Sequence, residues 1–238
     1  MRKIYMIGDS IMQTNLYDKY PQTGWGQMLS LFVCDDVEVV NLAKNGTSTK
    51  SFIQQKRFEM VENNIKNGDL LIIGFAHNDE KIQDENRYTN PKTKFKENLI
   101  YFIDVAKKNG ASVILTTPVV RRNFIDGKLV ETHGEYVSSI KEVSNEKDIT
   151  CVDLNELTFN FFSNVGEECS KRYFMNFPAN IYGNYPNGSN DNSHLRSDGA
   201  FLVSKLLVND LYIKNNDLKD YFKEPASPII CASDTYEK

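Results

Sequence analysis

The stretch "GDLLIIGF", residues 68–75, constrains this chain more than any other. A turn pair, Gly68-Asp69, opens onto an apolar run with no polar residue alternating into it. A strand with one wet face alternates polar and apolar side chains, so a strand that does not is covered on both faces. The same texture recurs in "KIYMIGD" at the start, "VEVVNLA" over Val37 to Ala43, "ASVILTTP" stopped by Pro118, and "ITCVDL". Helix-like segments lie between these runs, at Gly26 to Val33, Ser51 to Asn64, Lys92 to Lys108 and Tyr136 to Asn145. In the third of them Phe95, Leu99, Phe102, Ile103 and Ala106 fall near helical spacing, and Asn109-Gly110 supplies the stop. A last long helix is expected over Ser197 to Ile213, with Phe201, Val203, Leu206, Leu207 and Leu211 as its core face.

Buried strands alternating with helices imply a parallel sheet with right-handed crossovers. The expected fold is therefore α/β, a three-layer α/β/α sandwich around a central parallel sheet. All 238 residues are read as one domain, with 223–238 as an irregular C-terminal tail. The formal net charge is −4 and no basic stripe appears, which argues against a nucleic-acid partner. No apolar run reaches membrane-span length, so no membrane partner is expected. The opening "MRKIYMIGDS" lacks the apolar core of a secretion signal, and a cytoplasmic location is expected. Cys34, Cys151, Cys169 and Cys231 form no C-x-x-C pair, and only three histidines exist. Neither a disulfide, a metal site nor an organic cofactor is called for. The sequence does not fix an oligomeric state.

Parallel sheets gather ligands outside the carboxyl ends of their strands. After the first strand comes Gly8-Asp9-Ser10, and after the second "AKNGTST" with Gly46. After the third comes "FAHND" with His77, Asn78 and Asp79, and after the fourth "PVVRRNF". "NDNSHLRSDGA", with Asp191 and His194, precedes the last helix. Each is ordinary alone: Gly-Asp-Ser is a common turn or cap, and Asn45-Gly46 is a turn dipeptide. Together they supply what covalent ester hydrolysis needs. Ser10 is a hydroxyl nucleophile, His194 a base, and Asp191, one turn earlier, a carboxylate that orients the base. The N–H groups of Ser10 and Gly46 and the Asn78 amide form a candidate oxyanion hole.

The blocks "GDS", "NGTS", "HND" and "DNSH", in that order, resemble the SGNH hydrolases, also called GDSL-type esterases. The resemblance implies their flavodoxin-like sandwich. No G-x-S-x-G elbow is present, so the α/β-hydrolase route does not apply. Within that superfamily the chain is most similar to the rhamnogalacturonan acetylesterases. "GDSIMQTNLYDKYPQTGWGQ", "TTPVVRRNF", "THGEY" and "NYPNGSNDNSHLRSDGA" carry that similarity. It implies the same five residues: Ser10 as nucleophile and oxyanion donor, Gly46 and Asn78 as the other donors, Asp191 and His194 as the acid/base pair. Two positions depart from the pattern. The third block is usually G-x-N-D, but Ala76 stands first here; Leu195 follows the histidine where an aromatic is more usual.

The implied activity is a serine esterase that removes O-acetyl groups from rhamnogalacturonan oligosaccharides, with an acetylated oligosaccharide as its partner. The triad fits an esterase of another acetylated carbohydrate, such as acetyl-xylan, or of a small acyl ester. A non-catalytic carbohydrate-binding domain would have lost Ser10, Asp191 or His194, and all three are present. Three residues are candidate substrate contacts. Trp25, the only tryptophan, either stacks on a sugar or anchors a helix. Arg122, with Arg121, either reads a uronate carboxylate or is a solvated basic pair. His133 either touches substrate or satisfies a loop.

Overall fold

The structure is a computed structural model and describes residues 1–225. Five strands form one parallel sheet: β1 (Arg2–Gly8), β2 (Val37–Asn41), β3 (Leu70–Gly74), β4 (Ser112–Thr116) and a short fifth, which takes the label β7 in chain order, Thr150–Val152. Their spatial order is β2-β1-β3-β4-β7, every neighbouring pair parallel. The doubly covered sheet expected from the apolar runs is present. On β1, Ile4 and Met6 enter one core layer, while Tyr5 and Ile7 enter the other. On β3, Leu70 and Ile72 pair against Leu71 and Ile73 in the same way.

The first layer is built against α1 (Trp25–Leu29), α6 (Leu154–Val165) and α8 (Ser197–Ile213). The second packs against α2 (Thr49–Gln54), α3 (Glu59–Asn64), α4 (Lys94–Lys108) and α5 (Glu135–Lys147). Between β4 and α5 stands a small hairpin, β5 (Phe124–Ile125) with β6 (Lys128–Leu129). After α6 come the one-turn helix α7 (Glu167–Ser170) and an antiparallel pair, β8 (Phe174–Phe177) with β9 (Ser189–Leu195).

Three expectations differ from what is observed. The helix expected over Ser51 to Asn64 is two helices. Ser48 and Ser51 make a reciprocal capping box that starts α2 earlier, and Lys56 adopts φ 55°, a left-handed conformation that stops it. Phe58 then turns inward and is 2% exposed. Phe201 is 43% exposed, outside the core face of α8, and Leu202 takes a buried place beside Val203. Asp191 and His194 lie on β9, not on a helical turn. The tail expected over 223–238 lies outside the described residues from 226 onward, as does Cys231. Cys34, Cys151 and Cys169 are free thiols. Among the described residues no helix is long and apolar enough to cross a membrane.

Candidate active site

The chain order doubles back at β1: β2 lies on one side of it and β3 on the other. Crossovers leave β1 and β3 in opposite directions there, so a crevice opens beyond their carboxyl ends. Ser10 follows β1 into this crevice and is 7% exposed. The Asp9 carbonyl accepts from the N–H groups of Met12 and Gln13 at 3.2 Å, and its Oδ1 accepts from Ile11 N–H at 3.0 Å. These bonds turn the chain sharply and hold the serine at its bend.

The strand that carries Asp191 and His194 reaches the same point from the far end of the sequence. Asp191 Oδ1 accepts from the backbone N–H of Ser193 at 2.8 Å and of His194 at 3.0 Å. That local turn delivers the His194 ring to Asp191 Oδ2, which lies 2.7 Å from Nδ1. With Nδ1–H donated to the carboxylate, Nε2 is left to accept from Ser10 Oγ–H at 2.9 Å. Partial burial works to raise the Asp191 carboxyl. The hydrogen bond and charge of His194 and the two backbone N–H groups outweigh it and hold the group at about 2. The carboxylate is thus ionised at any working pH.

Gly46 and Asn78 close the other side. Gly46 has φ 77°, the conformation glycine adopts freely; an added Cβ would meet only Arg87 Nη1, at 3.8 Å. The glycine is therefore fixed by backbone conformation and not by lack of space. Asn78 is 4% exposed and donates one Nδ2–H to Thr47 O at 3.0 Å. The N–H groups of Ser10 and Gly46 have no acceptor among the described residues. A cavity of about 200 Å³ joins these groups, lined by Ser10, Ile11, Asn45, Gly46, His77, Asn78, Lys81, Arg87, Arg121, Ser193 and His194.

All five residues expected at the reaction centre line this cavity or touch one that does. Ala76 lies outside it: the residue is fully buried, its φ of 159° is at the edge of extended backbone, and its methyl joins the core layer beneath α2 and α4. Leu195 is also core, 1% exposed, and forms no pocket wall.

The substrate-contact candidates need correction. Trp25 is 3% exposed in the core and presents no face to a sugar. Arg122 is buried and faces away from the cavity. It donates to Ser170 Oγ, Asn192 Oδ1 and Glu167 O at 3.0, 3.0 and 2.7 Å, so it clamps β9 between Asp191 and His194. His133 is 2% exposed; its Nε2 lies 3.0 Å from Val119 O, to which the N–H of the neutral ring donates, and its Nδ1 lies 3.1 Å from Glu80 Oε2. Burial, then the charge of Arg121, push its ring down to about 4.

Arg121 is the arginine of the pair that lines the cavity; Glu80 holds it from behind. His77, Glu80 and His133 bring metal-ligand atoms within 4.8 Å of one another, but the Arg121 guanidinium already sits against Glu80 and His133 as their cation. Lys81 and Arg87 also line the cavity and were not singled out by sequence. They follow "HND" at no motif spacing, and only the fold of residues 80–88 over Gly46 reveals them.

The GDSL-like lipase/acylhydrolase family pattern matches residues 4–207, a span that takes in both the Ser10 bend and the Asp191–His194 strand. The chain is 36% identical over 220 residues to rhamnogalacturonan acetylesterase RhgT of Bacillus subtilis (strain 168), covering 92% of this chain and 93% of RhgT. It is 33% identical over 205 residues to the probable rhamnogalacturonan acetylesterase YesY of the same organism, covering 86% and 90%. Among solved structures, protein YxiM of Bacillus subtilis matches with a TM-score of 0.78 and 27% identity over 91% of this chain, which spans 57% of the YxiM chain. The chain belongs to the GDSL-like lipase/acylhydrolase family and is a hydrolase of ester bonds.

Proposed function

We propose that the protein removes O-acetyl groups from rhamnogalacturonan oligosaccharides by a serine mechanism. The observation that carries the chemistry is the unbroken chain from Asp191 through His194 to Ser10, at 2.7 and 2.9 Å, opening on a cavity with two further donors. Ser10 Oγ attacks the acetyl carbonyl carbon while His194 Nε2 takes its proton. The C–O π pair moves onto the carbonyl oxygen, which the N–H groups of Ser10 and Gly46 and the Asn78 amide receive. His194 then gives the proton to the departing sugar oxygen, leaving an acetyl ester on Ser10. Water attacks that ester by the same relay and releases acetate.

Two things support a pectic substrate over a neutral one. The relatives RhgT and YesY are named for rhamnogalacturonan and align over most of this chain. Among the described residues the cavity lining also carries Lys81, Arg87 and Arg121 and no carboxylate, although the chain has net charge −4. Uronate sugars supply the matching anion; acetylated xylan does not.

The test has two stages. Ser10→Ala should abolish hydrolysis of p-nitrophenyl acetate while melting like wild type; surviving turnover removes Ser10 as nucleophile. Acetate release from acetylated rhamnogalacturonan fragments is then compared with release from acetylated xylan. Equal or greater kcat/KM on xylan rejects the pectic substrate and leaves the mechanism standing.

A further inference from the structure

The Asn78 side chain poses a problem that the triad does not solve. A carboxamide can sit either way round, and only one way aims an N–H at an oxyanion. Two neighbours choose between them. Thr47 O lies 3.0 Å from Nδ2 and can only accept. Arg87 Nη1 lies 3.4 Å from Oδ1 and can only donate. Flipping the amide would set oxygen against oxygen on one side and N–H against N–H on the other. The orientation that satisfies both leaves the second Nδ2–H without an acceptor among the described residues, on a side chain that lines the cavity together with Gly46.

We propose that Arg87 is a positioning residue for the oxyanion hole: its guanidinium locks the Asn78 amide in the orientation that presents a donor to the reacting carbonyl. The inference rests on the reading of Asn78 as an oxyanion donor. The guanidinium is itself fixed. Its Nε donates to Asp84 Oδ2, and its backbone N–H to Asp84 O at 2.9 Å. Lys50 Nζ reaches Glu85 O, tying the same loop to α2. A Cβ added at Gly46 would lie 3.8 Å from Arg87 Nη1, so the group that bonds Asn78 also stands near the other residue that flanks the hole. Asp84 offsets much of the guanidinium charge, so the effect runs through geometry more than through field.

The experiment is a double-mutant cycle on p-nitrophenyl acetate, a neutral ester with no carboxylate for Arg87 to bind. Asn78→Ala is expected to lower kcat about a hundredfold to a thousandfold. Arg87→Met is expected to lower kcat about tenfold, with KM moved less than about twofold. The double variant should be no slower than Asn78→Ala within about twofold, because an arginine that acts through the amide has nothing left to orient. A structural role for Arg87 would instead scale both backgrounds equally. That result, or a wild-type kcat for Arg87→Met, overturns the proposal while leaving the oxyanion assignment intact. A wild-type kcat for Asn78→Ala overturns both. Should Arg87→Met fail to melt cooperatively, Arg87→Lys carries the same cycle, since a single ammonium cannot hold Asp84 and Asn78 together.

Discussion

Asp9 stands one residue from Ser10 and is 1% exposed. Its Oδ1 is satisfied by Ile11 N–H, but Oδ2 is buried without a hydrogen-bond partner among the described residues. Burial raises this carboxyl from 3.8 to about 6, against the weaker pull of the Ile11 N–H and the His194 charge. A folded-state value above the unfolded one means that the folded state binds the proton more tightly. The contribution of this group to stability is therefore fullest below pH 4 and declines as the pH climbs through 6, by about 3 kcal/mol at ~1.4 kcal/mol per unit. Asp9→Asn removes the buried ionisation. Its effect on stability, measured by urea unfolding, should be more favourable at pH 7 than at pH 4 by up to about 3 kcal/mol. Equal effects at the two pH values would show that the carboxyl does not titrate there. The tight bend that exposes Ser10 thus carries an electrostatic penalty at neutral pH, the kind of local conflict expected where function overrides packing.

At the scale of elements, β9 matters most, because it brings Asp191 and His194 to a serine 184 residues away in sequence. Arg122 pins it through Asn192, both by its side chain and by its backbone N–H, which donates to Asn192 O at 2.8 Å. Arg122→Met keeps the buried stem and removes the three side-chain bonds. It should cost about 2–4 kcal/mol of stability and lower kcat at least tenfold, since small displacements of a catalytic base are costly. A raised KM with unchanged melting would instead restore Arg122 as a substrate contact. A smaller gain is expected in the α2–α3 break: Lys56→Gly relieves a side chain at φ 55° and should raise stability by up to about 1 kcal/mol, read as a higher melting temperature. These two elements also mark where the sequence stops being legible. The five sheet strands and α8 could be read directly, because a doubly buried strand shows as a short unbroken apolar run and a long core helix as apolar residues recurring at helical spacing. The α2–α3 break could not, because no glycine or proline marks it and Lys56 gives no sign of its left-handed conformation. The β8–β9 pair could not either, since its polar residues are chosen for the site and for hairpin bonds such as Asn176 to Asn190, which leaves no strand period. The five residues proposed for the reaction centre could be picked out of the sequence because each follows a strand or precedes a helix, and the fold brings them to one crevice. Lys81 and Arg87 beside it were not, because they reach the cavity only through folding of the 80–88 loop.

For the whole molecule, the distribution of charge separates the cavity from the surface around it. Thirty-two acidic against twenty-eight basic residues give a net charge of −4, which repels an anionic oligosaccharide at long range. Within the cavity the sign reverses. Arg87 and Arg121 are anchored by Asp84 and Glu80, and Lys81 has no ion-pair partner among the described residues. Burial and the charge of Arg87 lower the Lys81 ammonium from its usual value, as expected for a cation facing another cation across the crevice. An incoming carboxylate would relieve that repulsion, so attraction should be local and sensitive to salt over about 10 Å. On an acetylated galacturonate, kcat/KM should fall severalfold as sodium chloride is raised from about 0.05 to about 0.5 M. On neutral p-nitrophenyl acetate it should change little. Lys81→Glu should erase most of the salt dependence and lower the ratio of anionic to neutral kcat/KM about tenfold or more, since it replaces the unpaired cation with a like charge. If the wild-type enzyme responds to salt equally on both esters, the cavity cations serve the protein's own internal pairs and take no part in choosing the sugar.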